Sequence, residues 1–290
     1  MSVSHFWVNG EIVPIDQASV SVLDHGFTVA DGVFETLLIE QGEVFALDRH
    51  LDRLEHSATG LGVTLPARAT LESAIAKVLE ANEVVSFGRL RLTVTSGAGP
   101  LGSERSNSKP TLVVSISHQS VWPDSTTALL VPWARNENSP LVGLKTTSYA
   151  ENVYALDAAK RHGYSEALFC DTTGRLCEGT GTNIFLVSND IVSTPSTASG
   201  LLRGITRDLL IEWARADDVQ VIERDIDPAE LWEADEVFIT SSTRDVHPVT
   251  QLAKLDIAGE VNHQRDMSAG LTTKKLGTLF RHNRSKVRNP

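Results

Sequence analysis

"LVGLKTTSYAENVYAL", residues 141–156, sets a single lysine between an apolar run and what reads as the first turn of a helix. Val142, Gly143 and Leu144 precede Lys145. An ammonium held against such a segment loses hydration, and desolvation favours the neutral amine, the form that attacks carbonyls. Ser148 and Glu151 have the spacing of a capping box, and Val153, Leu156 and Ala159 follow at helical spacing. The pattern predicts a strand-to-helix turn at Lys145, a common address for chemistry. The competing reading is a solvated surface charge, as for any single lysine.

Outward from this stretch, strands and helices alternate in both directions. On the C-terminal side "TALLVPWA", "EALFCD", "NIFLVS", "VQVIERDI" and "EVFIT" read as strands, with helices over 149–162 and 205–216. On the N-terminal side "HFWVNGEIV" is a hairpin about Asn9-Gly10, and "GVFETLLIEQGEVFAL" a second about Gln41-Gly42. In "LDRHLDRLEHSATGLG" the positions Leu47, Leu51, Leu54, Ala58 and Leu61 form one apolar stripe, with His50, Arg53 and Ser57 on a neighbouring face. A helix "LESAIAKVLEAN" and strands "RLRLTVTS" and "TLVVSIS" complete this half. The Ser, Pro and Asp of "SHQSVWPDSTT" interrupt the pattern near 118–126. The expected fold class is therefore α+β: two mixed α/β domains, a small N-terminal one over 1–120 and a larger C-terminal one over 121–290, with a site in the cleft between them.

Composition removes several function classes. The chain has 290 residues, 41% hydrophobic and 22% charged, as in an ordinary globular protein with real cores. A net charge of -11 argues against a nucleic-acid surface, and the basic tail from Arg281 to Arg288 reads as a solvated end. No apolar run reaches the roughly 18 residues of a spanning helix, and the start lacks the features of a signal peptide, so no membrane partner and a cytoplasmic location are expected. Cys170 and Cys177 flank the turn "DTTGRL", where they could face each other across a hairpin; without nearby histidines they read as reduced structural thiols, and no metal is expected.

Two motif matches carry no chemistry. "GAGPLG", 97–102, fits G-x-G-x-x-G, but Pro100 and the polar stretch after it leave no helix N-terminus for a pyrophosphate. "SNSK", 106–109, fits S-x-x-K in a polar loop before Pro110, without the helix that fixes such a pair. Three others carry more. In "RLCEGTGTNIFLV" Glu178 ends a strand beside small residues that let backbone approach a planar ligand; the bland reading is a hairpin with a solvated acid. In "GLLRGITRDLL" Gly204 precedes a helix beginning at Ile205 and Thr206, whose free N–H groups suit a phosphate; an ordinary capped helix is the alternative. "FITSSTRDVHPV" places Ser241, Ser242 and Thr243 at a strand's end, either an anion seat or a polar turn. A lysine, an acid and a phosphate seat together are what pyridoxal phosphate needs: a covalent anchor, a partner for the ring nitrogen, and anion-binding groups.

With those residues in hand, the chain resembles the fold-type IV pyridoxal-phosphate enzymes, the class IV aminotransferase family of branched-chain and D-amino acid aminotransferases and aminodeoxychorismate lyases. The resemblance runs in order through "DHGFTVADGVFET", "RHLDRL", "GLKTTSYAEN", "EGTGTNIFLV", "GLLRGITR" and "TSSTRDVHPV". It implies pyridoxal 5'-phosphate as cofactor, with Lys145 its covalent lysine and Glu178 the partner of its ring nitrogen. It also implies that Arg53 reaches the phosphate, that Ile205, Thr206, Ser241 and Ser242 complete the phosphate seat, and that Leu201 packs on the ring. Phe34 and Arg91 fall where the family lines its substrate pocket. Homodimers that close the cleft with the partner subunit are implied too. One departure bears on specificity: D-amino acid aminotransferases and several lyases carry a base in the loop that here reads Leu101-Gly102.

The expected activity is transfer of an amino group between a small amino acid and a 2-oxoacid. The near alternative is an aminodeoxychorismate lyase that forms 4-aminobenzoate and pyruvate. An alternative of another class is a pyridoxal-phosphate-binding protein without catalysis, which the presence of both Lys145 and Glu178 speaks against.

Overall fold

The computed structural model describes residues 3–290. Two left-handed turns start its first sheet. Asn9 and Gly10, with φ of 49° and 114°, join β1 (His5–Val8) to β2 (Glu11–Pro14). After the short α1 (His25–Thr28), Gln41 and Gly42 (φ 56° and 79°) join β3 (Gly32–Glu40) to β4 (Glu43–Val44). Turns with two positive φ values match the twist of paired strands, which is why both dipeptides read as hairpins. The helices α2 (Leu47–Leu61) and α3 (Arg68–Glu80) come next, then β5 (Phe87–Thr95) and β6 (Thr111–His118). These strands make an antiparallel sheet of order β2-β1-β6-β5-β3-β4. Leu51, Leu54 and Ala58 of α2 and Leu71, Ile75 and Val78 of α3 bury against Leu37, Ile39, Leu90, Leu92 and Val114 of the sheet.

The second sheet takes its strands from the rest of the chain: β7 (Thr126–Arg135), β8 (Glu166–Asp171), β9 (Leu176–Gly179), β10 (Asn183–Ser188), β11 (Ile191–Pro195), β12 (Val221–Arg224), β13 (Glu236–Ser241), β14 (Asp245–Leu255) and β15 (Val261–Asp266). Its order is β12-β11-β10-β13-β14-β7-β8-β9, with β15 on β14. The pairs β11/β12, β14/β7 and β7/β8 are parallel and the others antiparallel, so the architecture is α+β. Three helices belong to this unit: α4 (Ala150–Arg161), α5 (Ile205–Ala216) and α6 (Leu271–Lys286). Phe185 and Phe238, stacked at 4.8 Å between ring centroids, lie in its interior.

The chain divides into units of 1–121 with 144–148 and 288–290, and of 122–143 with 149–287. A single cut after residue 120 would place Lys145 in the second part; it lies in the first. The cause is main-chain docking, for Thr147 donates its N–H to the Gly32 carbonyl at 2.8 Å and Thr146 bridges to Val33. That docking also removes the expected capping box. Tyr149, not Ser148, is the N-cap of α4 and makes no side-chain cap bond. The buried residues of α4 are Asn152, Ala155, Ala158 and Ala159, so the expected stripe is wrong at Val153, which is exposed. The basic C-terminus is not a solvated end either: Arg284 of α6 is buried and donates from Nη1 to both carboxylate oxygens of Asp245 at 2.6 Å. Cys170 pairs in register with Leu176, not with Cys177. Both thiols are free, and burial pushes each upward, Cys170 to about 11, so neither is a nucleophile near neutrality. Among the described residues no helix is long and apolar enough to cross a membrane, and no group of three or more His, Cys, Asp or Glu could hold a metal ion.

Candidate active site

In the first unit, Lys145 is fixed through its backbone. Its N–H donates to Ser57 Oγ at 3.0 Å, and its carbonyl accepts from the Phe34 N–H at 3.0 Å. Leu144, just before it, packs on Gly60, where an added Cβ would stand 2.6 Å from a Leu144 methyl carbon. The main chain of Lys145 is thus held at both of its peptide groups. Its Nζ faces the Phe34 ring at 4.5 Å from the centroid, and the Arg91 guanidinium lies over the same ring at 3.8 Å. Arg91 also donates from Nε to Thr93 Oγ1 at 3.2 Å. Lys145, Phe34 and Arg91 are thus one cluster, an amine and a guanidinium on one aromatic ring.

Arg53 joins this unit from α2. Its Nε and Nη2 donate to the two oxygens of Glu35, each at 2.7 Å, and His50 Nδ1 meets Glu35 Oε2 at 2.7 Å. Glu35 and His50 are almost wholly inaccessible. Burial alone would raise the Glu35 carboxyl, but Arg53 and His50 outweigh it and hold the acid well below the usual carboxylate range. Burial lowers His50, aided by Arg53 and Lys145 and opposed by Glu35, so the imidazole is neutral near pH 7 and donates from Nδ1. Both shifts are depressions with the same sign. The unfolded chain takes up protons on His50 below about pH 6.5 and on Glu35 below about pH 4.3 that the folded chain refuses, so this unit loses stability as pH falls. Melting temperature is expected to drop from pH 7 to 5, and less steeply in His50→Asn, which keeps a donor but does not titrate. Identical slopes for the two proteins would contradict this assignment.

In the second unit, β9 places Glu178 beside the turn that leads to α5. Glu178 Oε2 accepts the Leu202 N–H at 3.0 Å, and its Oε1 lies 3.5 Å from Arg135 Nε. Arg135 is itself set by Asn152, which accepts from it at 3.2 Å, and by the Phe169 ring. Asn152 Nδ2 donates to the Thr180 carbonyl, tying α4 to the segment after Glu178. Leu201 is buried next to the Leu202 amide that Glu178 holds.

Helix α5 starts where its sequence predicts. Gly204 is its N-cap and offers no side chain to the first turn, where Ile205 and Thr206 stand. A larger residue at 204 would collide with the Asn183 amide oxygen, and Asn183 Nδ2 donates to the Leu202 carbonyl at 2.9 Å. Asn183 of β10 pairs in register with Thr240 of β13, the residue before Ser241 and Ser242, and so links the end of β13 to the turn that precedes α5. Glu178, Leu201, Ile205, Thr206, Ser241 and Ser242 are therefore gathered in one unit.

These residues fit pyridoxal phosphate chemically. An uncapped helix start is a seat for an anion, a carboxylate fixed by an amide N–H and an arginine is a partner for a protonated ring nitrogen, and a lysine held through its backbone is a covalent anchor. Sequence reading placed His50 and Ser57 on a face with Arg53 but gave them no role, and it did not single out Glu35, Arg135 or Asn152. For Glu35, His50 and Ser57 a signal existed: an acid in an apolar strand and a polar face on α2.

Comparison with known proteins agrees. The family model for amino-transferase class IV matches residues 32–252. A Methanocaldococcus jannaschii protein, provisionally named a branched-chain-amino-acid aminotransferase, is 36% identical over 286 residues, covering 97% of this chain and 96% of its own. The aminodeoxychorismate lyase of Bacillus subtilis is 28% identical, covering 88% of each. Among solved structures, the branched-chain aminotransferase of the archaeon Thermoproteus uzoniensis, solved with norvaline, superposes with a TM-score of 0.88 at 26% identity, covering 96% of this chain and 94% of that one. The chain belongs to the class IV aminotransferases, pyridoxal-phosphate enzymes of fold type IV.

Proposed function

We propose that this protein is an aminotransferase moving an amino group between a small amino acid and a 2-oxoacid. The observation that carries the reading is the Phe34 cluster, which sets the Arg91 guanidinium and the Lys145 amine on one ring, 3.8 Å and 4.5 Å from its centroid. A cation so close to the amine suits the carboxylate of a substrate whose Cα must reach that amine.

When bound, pyridoxal phosphate supplies an aldehyde for the amino group and an electron-withdrawing ring. Lys145 would hold the cofactor at rest, and its amine, once free, would be the base placed to take the Cα proton. Glu178 would hold the proton on the ring nitrogen, its carboxylate set in place by the Leu202 N–H and Arg135. In this reading Arg53, Ile205, Thr206, Ser241 and Ser242 bind the phosphate, and Leu201 packs on the ring.

Amino-group transfer is favoured over the lyase reaction by charge. Aminodeoxychorismate carries two carboxylates, and burying both without two basic partners costs several kcal/mol. The loop that by the family resemblance carries a base in D-amino acid aminotransferases and several lyases reads Leu101-Gly102 here, and Arg89, on the same face of β5 as Arg91, donates from Nη2 to Gln119 at 2.8 Å. The reading extends to a cytoplasmic homodimer. The first unit exposes Val22, Leu23, Phe27 and Leu101, a patch joined by the Gly99 N–H bond to the Leu23 carbonyl, and a second copy would cover it. A monomeric mass in solution would exclude that part.

The deciding assay offers the loaded enzyme an amino acid panel, branched-chain members first, with 2-oxoglutarate and pyruvate, and separately aminodeoxychorismate. Ketoacid from the panel is the expected result. Rapid 4-aminobenzoate with no ketoacid would establish the lyase instead, and neither product would leave a binding protein without catalysis.

A further inference from the structure

Glu35 is a buried acid in the middle of β3 that no step above uses. Three bonds of 2.7 Å end on its two oxygens, from Arg53 Nε, Arg53 Nη2 and His50 Nδ1. Stability alone gives no reason for an acid at this place, since an apolar pair of similar volume commonly serves a core as well as a buried ion pair does. What the carboxylate does provide is direction. A guanidinium is planar, so holding Nε and Nη2 on one carboxylate also fixes where Nη1 lies. His50 and Arg53 are one helical turn apart on α2, and Ser57, one turn further, accepts the backbone N–H of Lys145. One helix face therefore sets both the arginine fork and the lysine backbone.

We propose that Glu35 is the positioning residue that aims Arg53 at the phosphate of the cofactor, with His50 orienting Glu35 in turn. The inference rests on the reading of Arg53 as a phosphate ligand. Glu35 also supplies the counter-charge that keeps the arginine in its largely buried place before the anion arrives. The role differs from a general structural one because it concerns the phosphate and not the ring.

The test compares affinities for pyridoxal 5'-phosphate and for pyridoxal, which lacks the phosphate, in full-length protein depleted of cofactor. The native protein is expected to prefer the phosphorylated form strongly. Glu35→Gln should lose about tenfold or more of that preference while its affinity for pyridoxal is unchanged. In an Arg53→Ala background the same change should have no further effect. Equal weakening of both ligands, or an unchanged preference, overturns the proposal. A native protein with no preference for the phosphorylated form overturns the reading of Arg53 beneath it as well. Should Glu35→Gln fail to fold, His50 decides. His50→Asn, whose amide nitrogen stands where Nδ1 does, should keep the preference, and His50→Leu should reduce it; equal preference in the two overturns the assignment.

Discussion

Lys145→Ala is expected to fold and to lose turnover by about 10⁴-fold, the upper range for removal of a positioned base, because covalent anchor and proton carrier are lost together. The fold should survive, since what docks residues 144–148 is backbone: the Lys145 N–H on Ser57, the Phe34 N–H on the Lys145 carbonyl, and the Thr147 N–H on Gly32. None of these needs the lysine side chain. A melting temperature near that of the native protein with turnover lowered by about that factor is the predicted pair of results. Turnover within a few fold of native would remove Lys145 from the chemistry.

Glu178→Gln should keep the cofactor but lower turnover on the order of 10²-fold or more, the typical cost of removing a group that stabilises developing charge. An amide at 178 can still accept the Leu202 N–H, so local structure is preserved. It cannot hold a proton on the ring nitrogen, and it leaves Arg135 without the carboxylate now 3.5 Å away. The effect should fall on turnover and not on cofactor affinity. Near-normal turnover would return Glu178 to the status of a hairpin acid.

Local chemistry was legible wherever a few neighbouring residues decide the structure. Asn9-Gly10 and Gln41-Gly42 announce their hairpins because each sets a glycine, which takes a positive φ without steric cost, between two apolar runs. The bounds of α5, Ile205–Ala216, follow from Gly204 and the apolar period after it. The Lys145 segment shows the limit. Ser148 and Glu151 have capping-box spacing, yet bonds to Gly32 and Ser57, distant in sequence, fix the approach to α4 and leave Ser148 outside the helix. The basic tail misleads for the same reason. Arg284 becomes a buried residue because Asp245 at the start of β14 meets it, a partner that no local pattern reveals. Among the candidate residues, Lys145 and Glu178 stand in recognisable motifs, whereas Glu35 and Arg135 gain their meaning from partners on other elements of their own units.

Borohydride reduction of the yellow, cofactor-loaded protein, followed by proteolysis and mass mapping, decides whether Lys145 carries the cofactor. One pyridoxyl-phosphate label is expected, on the peptide containing Lys145, with loss of the visible band as the label appears. A label on another lysine, or none with the band intact, would contradict the assignment of Lys145 and with it the reading of this chain as an active pyridoxal-phosphate enzyme.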